Sequence, residues 1–342
     1  MRAAVFEGPG NIRIQQVDDP EVELSTDAVV RVVSAAICGS DLWSYRGYGQ
    51  REPGGRIGHE FLGVVTDVGP DVRTVRTGDL VISPFTWSDG TCEYCLSGLT
   101  TSCVDGGVYG EPGHDGALGE ALRVPHADGT LIVVPPALRD ADPSLLLPLA
   151  DVLPTGHHAA VSAGVKFGYR VVVIGDGAVG LCAVLAARRL GAESVTVIGH
   201  HEQRLELARR LGATDVVTGR GDAAAEKVIS LTGGAHAVLE CVGAQGAFDT
   251  ALAVARDGAT IGYVGVPHLV DGIDLSQLFS RNIAIVGGIA PARTYLPELM
   301  TAVALGGLDA GALLDATVDL DGVPDGFVAM DTRKSLKVRV DL

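Results

Sequence analysis

The chain has 342 residues, of which 47% are hydrophobic and 20% charged. At roughly 100–200 residues per domain this length points to two domains, and the apolar share supports a buried core and excludes a disordered chain. The formal net charge of −16 argues against nucleic acid or an anionic membrane as a partner, since a phosphate field would repel it. The 46 glycines follow no three-residue period, so collagen is excluded and tight turns are expected. Six cysteines in so long a chain do not make a disulfide scaffold.

Residues 1–6 (MRAAVF) run straight into Glu7 and Gly8, which is not the pattern of a secretory signal. The longest helical apolar stretch, 178–187, is stopped by Arg188 and Arg189, far short of the roughly 20 residues that span a bilayer. A cytoplasmic, reducing setting is expected, with the cysteines serving as metal ligands or core residues.

In chain order, the first 150 residues read as β-rich. Short apolar runs at 28–33, 62–68, 80–83 and 131–134 are separated by Gly, Pro and Asp. From about residue 169 strands alternate with helices. Strands are expected at 170–174, 194–198, 215–218, 237–240 and 260–264. Helices are expected from the glycine turn to 190, then at 202–211, 222–231 and 247–256. Such alternation means parallel strands with helical crossovers. The tail reads as a helix near 296–305 and strands at 316–318 and 336–340; the run 283–289 reads as an interface edge strand or a buried strand. The expected fold is therefore α/β: a β-rich domain over 1–152, completed by about 290–342, and an inserted doubly wound parallel-sheet domain over 153–289.

The strand Val171-Val172-Val173-Ile174 leads into Gly175-Asp176-Gly177-Ala178-Val179-Gly180 and then a helix. In this setting G-x-G-x-x-G reads as a dinucleotide site. Gly175 permits the turn, Gly177 lets the pyrophosphate approach, and Gly180 lets helix and strand pack. The helix N-terminus, with Ala178 and Val179, faces the phosphates. Thr155, Val242, Val264 and Gly265 are further candidate coenzyme contacts. An Asp or Glu at the end of the second strand would bind the ribose 2′-hydroxyl, but Gly199 stands there. The room this leaves for a 2′-phosphate, with His200, His201 and Arg204 beside it, favours NADP(H) over NAD(H).

Two sets of residues have metal-ligand chemistry. Cys38-Gly39-Ser40-Asp41 is followed about twenty residues later by Gly58-His59-Glu60; thiolate and imidazole suit zinc. Asp89, Cys92, Cys95 and Cys103 form a second set, spaced as a closed four-ligand structural zinc site. The adjacent His157 and His158 diverge by about 100° on a helix and do not face one ligand. Cys182 and Cys241 read as core residues.

The order of these motifs resembles the zinc-dependent medium-chain dehydrogenase/reductase family over essentially the whole chain. The resemblance implies a GroES-like catalytic domain and a Rossmann coenzyme domain, with the active site in the cleft between them. It also implies a catalytic zinc held by Cys38, His59 and a third residue just before the coenzyme domain, with Glu60 nearby as ligand or catalytic partner. The segment from Pro148 to Gly156 matches, and Asp151 is the candidate third ligand. Ser40 matches the hydroxyl that takes the proton of the alcohol. Two departures stand out: Asp89 replaces the family's fourth lobe cysteine, and Trp43 lies where many relatives continue the proton path with a histidine.

The expected activity is a zinc-dependent alcohol dehydrogenase or carbonyl reductase that transfers a hydride between NADP(H) and an alcohol, ketone or aldehyde. A polyol, sugar or amino-alcohol (threonine-like) dehydrogenase using NAD(H) is the alternative. A non-catalytic nucleotide-binding protein is a third reading, which the intact ligand sets oppose. Trp43, Tyr45, Phe85, Trp87 and Tyr109 read either as walls of an apolar substrate pocket or as packing. A homodimer or homotetramer is implied by the family.

Overall fold

The computed structural model describes residues 1–48, 51–268 and 270–342. The chain forms two compact units, Met1–Asp151 with Pro291–Leu342, and Val152–Ala290.

In the first unit the main sheet has seven strands among the described residues. Their order is Ala316–Asp319, Val338–Asp341, Ala28–Ala36, Glu60–Val68, Leu80–Ser83 and Ile132–Val133, and Ala121–Val124 also pairs with Ala28–Ala36. The C-terminal strand Val338–Asp341 lies antiparallel to Ala28–Ala36, so the tail is built into this sheet. Phe61, Ile37, Leu118, Leu122 and Phe327 are fully buried and fill the core beneath it. Each such side chain contributes roughly 1.5–3 kcal/mol by leaving water.

The register of this sheet brings distant motifs together. Ala36 pairs with Glu60, so the turn carrying Cys38 emerges beside His59. The Ile37 N–H donates to the Val338 carbonyl at 3.0 Å, which sets Lys337 against the same strand ends. Ser83 pairs with Phe61, and just beyond it the Phe85 N–H donates to the Ala150 carbonyl at 2.9 Å. That bond tethers the segment that ends in Asp151.

The second unit is a six-stranded parallel sheet among the described residues. Its order is Asp215–Thr218, Ser194–Gly199, Arg170–Ile174, Ala235–Glu240, Ala255–Tyr263 and Ala284–Gly287. Val171, Val172 and Val173 are fully buried, which is why that strand is an unbroken apolar run rather than an alternating one. The chain order reverses between Arg170–Ile174 and Ala235–Glu240, the position where a doubly wound sheet opens its ligand crevice.

Several elements differ from the sequence-based expectation. The helix Val152–Ser162, which carries His157 and His158, has a weak apolar stripe and contains a proline, so its bounds are not legible from the pattern. The run 131–134 shortens to the strand Ile132–Val133, because Leu131 caps the short helix Ala127–Thr130. The run 283–289 forms the edge strand Ala284–Gly287, whose residues alternate between exposed and half-buried; it is not an interior strand. No helix among the described residues is long and apolar enough to cross a membrane.

Candidate active site

Cys38, His59, Glu60 and Asp151 each present one ligand atom, and these atoms lie within 4.8 Å of one another. All four residues are buried. The Cys38 thiol donates to Asp151 Oδ2 at 3.2 Å, and His59 Nε2 lies 3.4 Å from the same oxygen. The other ring nitrogen, Nδ1, lies 3.4 Å from Asp41 Oδ1. The second Asp41 oxygen accepts the Cys38 N–H at 2.9 Å. Asp41 therefore fixes the turn that carries the thiol and the orientation of the ring, the arrangement in which a carboxylate steadies a metal-binding imidazole.

Glu60 is tied to a partner that its sequence neighbourhood gave no reason to expect. Lys337, 1% exposed, places its Nζ 2.5 Å from Glu60 Oε1 and 3.4 Å from the Ile37 carbonyl. The other Glu60 oxygen, Oε2, is buried without a hydrogen-bond partner. Burial, followed by the charges of Asp151 and Glu60, pushes the Cys38 thiol up to about 11. Burial alone would lower the His59 imidazole, but the charges of Asp41 and Cys38 outweigh it and hold it well above its ordinary value. Both shifts express one condition: acidic groups crowd a dry site and favour a cation there. A thiol, an imidazole and carboxylates, one with an unpartnered buried oxygen, fit a zinc ion.

Ser40 starts the short helix Asp41–Tyr45 and is exposed, and its hydroxyl does not cap that helix. Of the aromatic residues considered as pocket walls, Trp87 and Tyr109 are buried in the core. The Tyr109 hydroxyl is 3.1 Å from the Ser83 hydroxyl, so these two are packing residues, and Tyr45 packs on Phe327 at 5.3 Å. Phe85 stands edge-on to the His59 ring at 6.4 Å, and Trp43 against Tyr48 at 5.4 Å.

The second set gathers on the lobe beside the short strands Thr86–Trp87 and Gly107–Val108. Ligand atoms of Asp89, Cys92, Cys95 and Cys103 also lie within 4.8 Å of one another. Asp89 Oδ1 accepts the N–H groups of Thr91 at 2.7 Å and Cys92 at 2.9 Å. Although burial opposes it, these bonds hold the Asp89 carboxyl well below the usual range. The Asp89 N–H donates to Cys103 Sγ at 3.2 Å. Asp89 thus organises the lobe backbone and presents an oxygen to the three thiols.

In the second unit the helix Ala178–Arg189 begins directly after the glycine turn, with its first N–H groups unpaired within the helix. Gly175 has φ +112°, and a Cβ on Gly180 would lie 2.1 Å from the Gly175 carbonyl oxygen, so the turn demands glycine at both positions. Glu240, at the end of the neighbouring strand, accepts the Val242 and Gly243 N–H groups on its carboxylate and those of Val264 and Gly265 on its carbonyl. It gathers three of the candidate coenzyme contacts into one loop cluster, a role the sequence did not disclose. Thr155 lies on Val152–Ser162, the helix that packs through Gly156 on Ala178–Arg189. These features fit a dinucleotide: an N-terminal cradle, and glycines where a side chain would intrude.

The room expected beside Gly199 for a 2′-phosphate is absent. The space beside Gly199 is not open, because the Asp176 side chain fills it. A Cβ on Gly199 would lie 2.7 Å from Asp176 Cβ and Oδ2. His200 and His201 adjoin it, and Arg204 follows on the helix Glu202–Arg210. Arg220, distant in sequence from this segment, reaches the His200 ring at 2.8 Å.

Together these features define a dinucleotide-dependent dehydrogenase with a candidate zinc centre, and comparison with known proteins agrees. The family models "Alcohol dehydrogenase GroES-like domain" and "Zinc-binding dehydrogenase" match residues 25–136 and 178–304. Zinc-type alcohol dehydrogenase B of Aspergillus flavus is 34% identical over 99% of this chain and 80% of its own length. The alcohol dehydrogenase TADH from Thermus sp. ATN1 is 33% identical, with a TM-score of 0.92 over 100% of this chain and 99% of that one. Zinc dependent alcohol dehydrogenase 2 from Streptococcus pneumonia is 30% identical, also with a TM-score of 0.92, over 100% and 98%. The chain belongs to the zinc-dependent medium-chain dehydrogenase/reductase family, a family of zinc- and nicotinamide-dependent oxidoreductases.

Proposed function

We propose that this chain is a zinc-dependent alcohol dehydrogenase or carbonyl reductase, interconverting an alcohol and its ketone or aldehyde. The observation that carries the reading is the buried cluster of Cys38, His59, Glu60 and Asp151, with one ligand atom from each within 4.8 Å of the others. Cys38, His59 and Asp151 would hold the zinc, with the Glu60 carboxylate beside them. When bound, zinc supplies Lewis acidity to the alcohol oxygen and the nicotinamide accepts the hydride. Asp41 keeps the His59 ring turned towards the cluster, and Lys337 balances the charge of Glu60. Ser40, exposed and not engaged as a cap, would take the hydroxyl proton of the alcohol. Asp89, Cys92, Cys95 and Cys103 would hold a structural zinc.

The glycine turn, Thr155, Val242, Val264 and Gly265 would bind the coenzyme. The lack of an acid at position 199 itself and the donor groups of His200, His201, Arg204 and Arg220 support NADP(H). The Asp176 carboxylate beside Gly199 supports NAD(H) instead, and with it the alternative of a polyol, sugar or amino-alcohol substrate. Six free cysteines fit a reducing cytoplasm, and the open edge Ala284–Gly287 is a surface through which a dimer or tetramer would form. The test is the absorbance change of NADPH and NADH, side by side, with a panel of ketones and aldehydes. Coenzyme oxidation that disappears on zinc removal is expected; undiminished turnover by metal-free protein would overturn the zinc reading.

A further inference from the structure

We propose that Asp176 replaces the carboxylate missing from the end of the second Rossmann strand and is a specificity-determining residue that favours an unphosphorylated ribose, and hence NAD(H). The inference rests on the dinucleotide site proposed above and decides between its two coenzymes.

In this fold the ribose 2′ position is read beside the end of the second strand, where a carboxylate accepts the hydroxyl. Here that strand ends in Gly199, and the carboxylate arrives from the fingerprint loop. The two positions are linked by volume: any side chain at 199 would meet Asp176 at 2.7 Å. The acid has been relocated rather than lost.

Its surroundings hold it as an anion. Asp176 Oδ2 accepts the backbone N–H groups of His200 and His201, both at 2.8 Å. His201 Nδ1 lies 3.1 Å from each carboxylate oxygen. Asp176 is 5% exposed, so its charge is poorly screened by water. A second anion at this corner, such as a 2′-phosphate, would meet that charge directly, whereas a hydroxyl would donate to it.

The two histidines nearby already have partners. The His201 ring faces Asp176, and the Arg220 guanidinium lies 2.8 and 3.2 Å from the His200 ring nitrogens. The His200 and His201 rings lie 3.9 Å apart, and Arg204 sits on the helix that follows. Asp176, His200 and His201 also present ligand atoms within 4.8 Å. A metal is disfavoured there because Oδ2 already serves two N–H donors and Arg220 adds a positive charge.

The test is calorimetric binding of NAD+ and NADP+ to the full-length protein, a readout that needs no turnover. Wild type is expected to bind NAD+ at least tenfold more tightly than NADP+. D176N keeps an oxygen to accept the two N–H groups but removes the charge, and should move the ratio of the two affinities at least tenfold towards NADP+. Its melting temperature should stay at the wild-type value. D176G/G199D returns the carboxylate to the strand end and should restore the preference for NAD+, so the inference survives a poorly folding D176N. Equal or tighter binding of NADP+ by wild type, a folded D176N whose ratio moves less than tenfold, or a D176G/G199D that does not prefer NAD+ would overturn it. Binding of neither nucleotide would overturn this inference and the coenzyme reading together. Binding as expected without turnover of any alcohol or carbonyl would sink only the dehydrogenase reading.

Discussion

The two metal-ligand sets of the first unit solve the same problem in opposite ways. The lobe set draws all four members from fifteen consecutive residues, 89–103, and all remain partly exposed. The other set draws Cys38, His59 with Glu60, and Asp151 from three segments that only the sheet register unites, and it is buried. The lobe offers three thiols and one carboxylate with short connections, which suits an ion that stays closed off. The buried set mixes a thiol, an imidazole and carboxylates, and needs Asp41 and Lys337 around it. A site that must polarise a substrate relies on a preorganised surround; a site that must hold a loop does not.

The contrast predicts different responses to substitution. His59→Ala should have the largest effect, lowering kcat by roughly a thousandfold or more, equivalent to about 4 kcal/mol or more. Nucleotide binding, followed by fluorescence titration, should be unchanged. Next, Lys337→Met leaves the Glu60 carboxylate buried without its cation and should cost about 3–5 kcal/mol of stability. Pairing it with Glu60→Gln should recover most of that loss in denaturant unfolding. A single variant as stable as wild type would mean that the pair does not support the buried site.

A smaller effect is expected in the lobe. Cys95→Ser should cost about 2 kcal/mol and lower the melting temperature by several degrees, while kcat falls less than about threefold. A drop in kcat as deep as that of His59→Ala would erase the distinction between the two sets. The smallest effect concerns acid. The folded-state pKa of Asp89 lies below its unfolded value. Its N–H contacts therefore add stability that is complete above about pH 4 and is lost as pH falls through the folded value. Measured on zinc-free protein, Asp89→Asn should flatten the acid side of the melting-temperature profile by roughly 1–2 °C, a small shift because exposed charges are screened.

What the sequence disclosed follows the same contrast. The lobe is legible because its ligands are neighbours, and the strands and helices of the second unit because their periodicity is local. Val171 to Ile174 needs no partner to read as a buried strand. Cys38 and His59 became a site only through resemblance, since nothing local says that residues twenty apart meet; the pairing of Ala36 with Glu60 says so. Lys337 lies almost 280 residues from Glu60 in the chain, and a single lysine before an apolar strand gives no signal of an ion pair. Asp176 was hidden differently. It sits inside a recognised motif at a position that tolerates any residue, and its role appears only once the loop is folded against Gly199.

The zinc content of purified wild type, Cys38→Ser and Cys95→Ser, measured by elemental analysis beside turnover, tests the two-zinc assignment most directly. About two zinc ions per chain are expected in wild type, with loss of about one in each variant. Activity should vanish in Cys38→Ser and persist in Cys95→Ser. Full activity in Cys38→Ser, or an active wild-type protein without zinc, would contradict it.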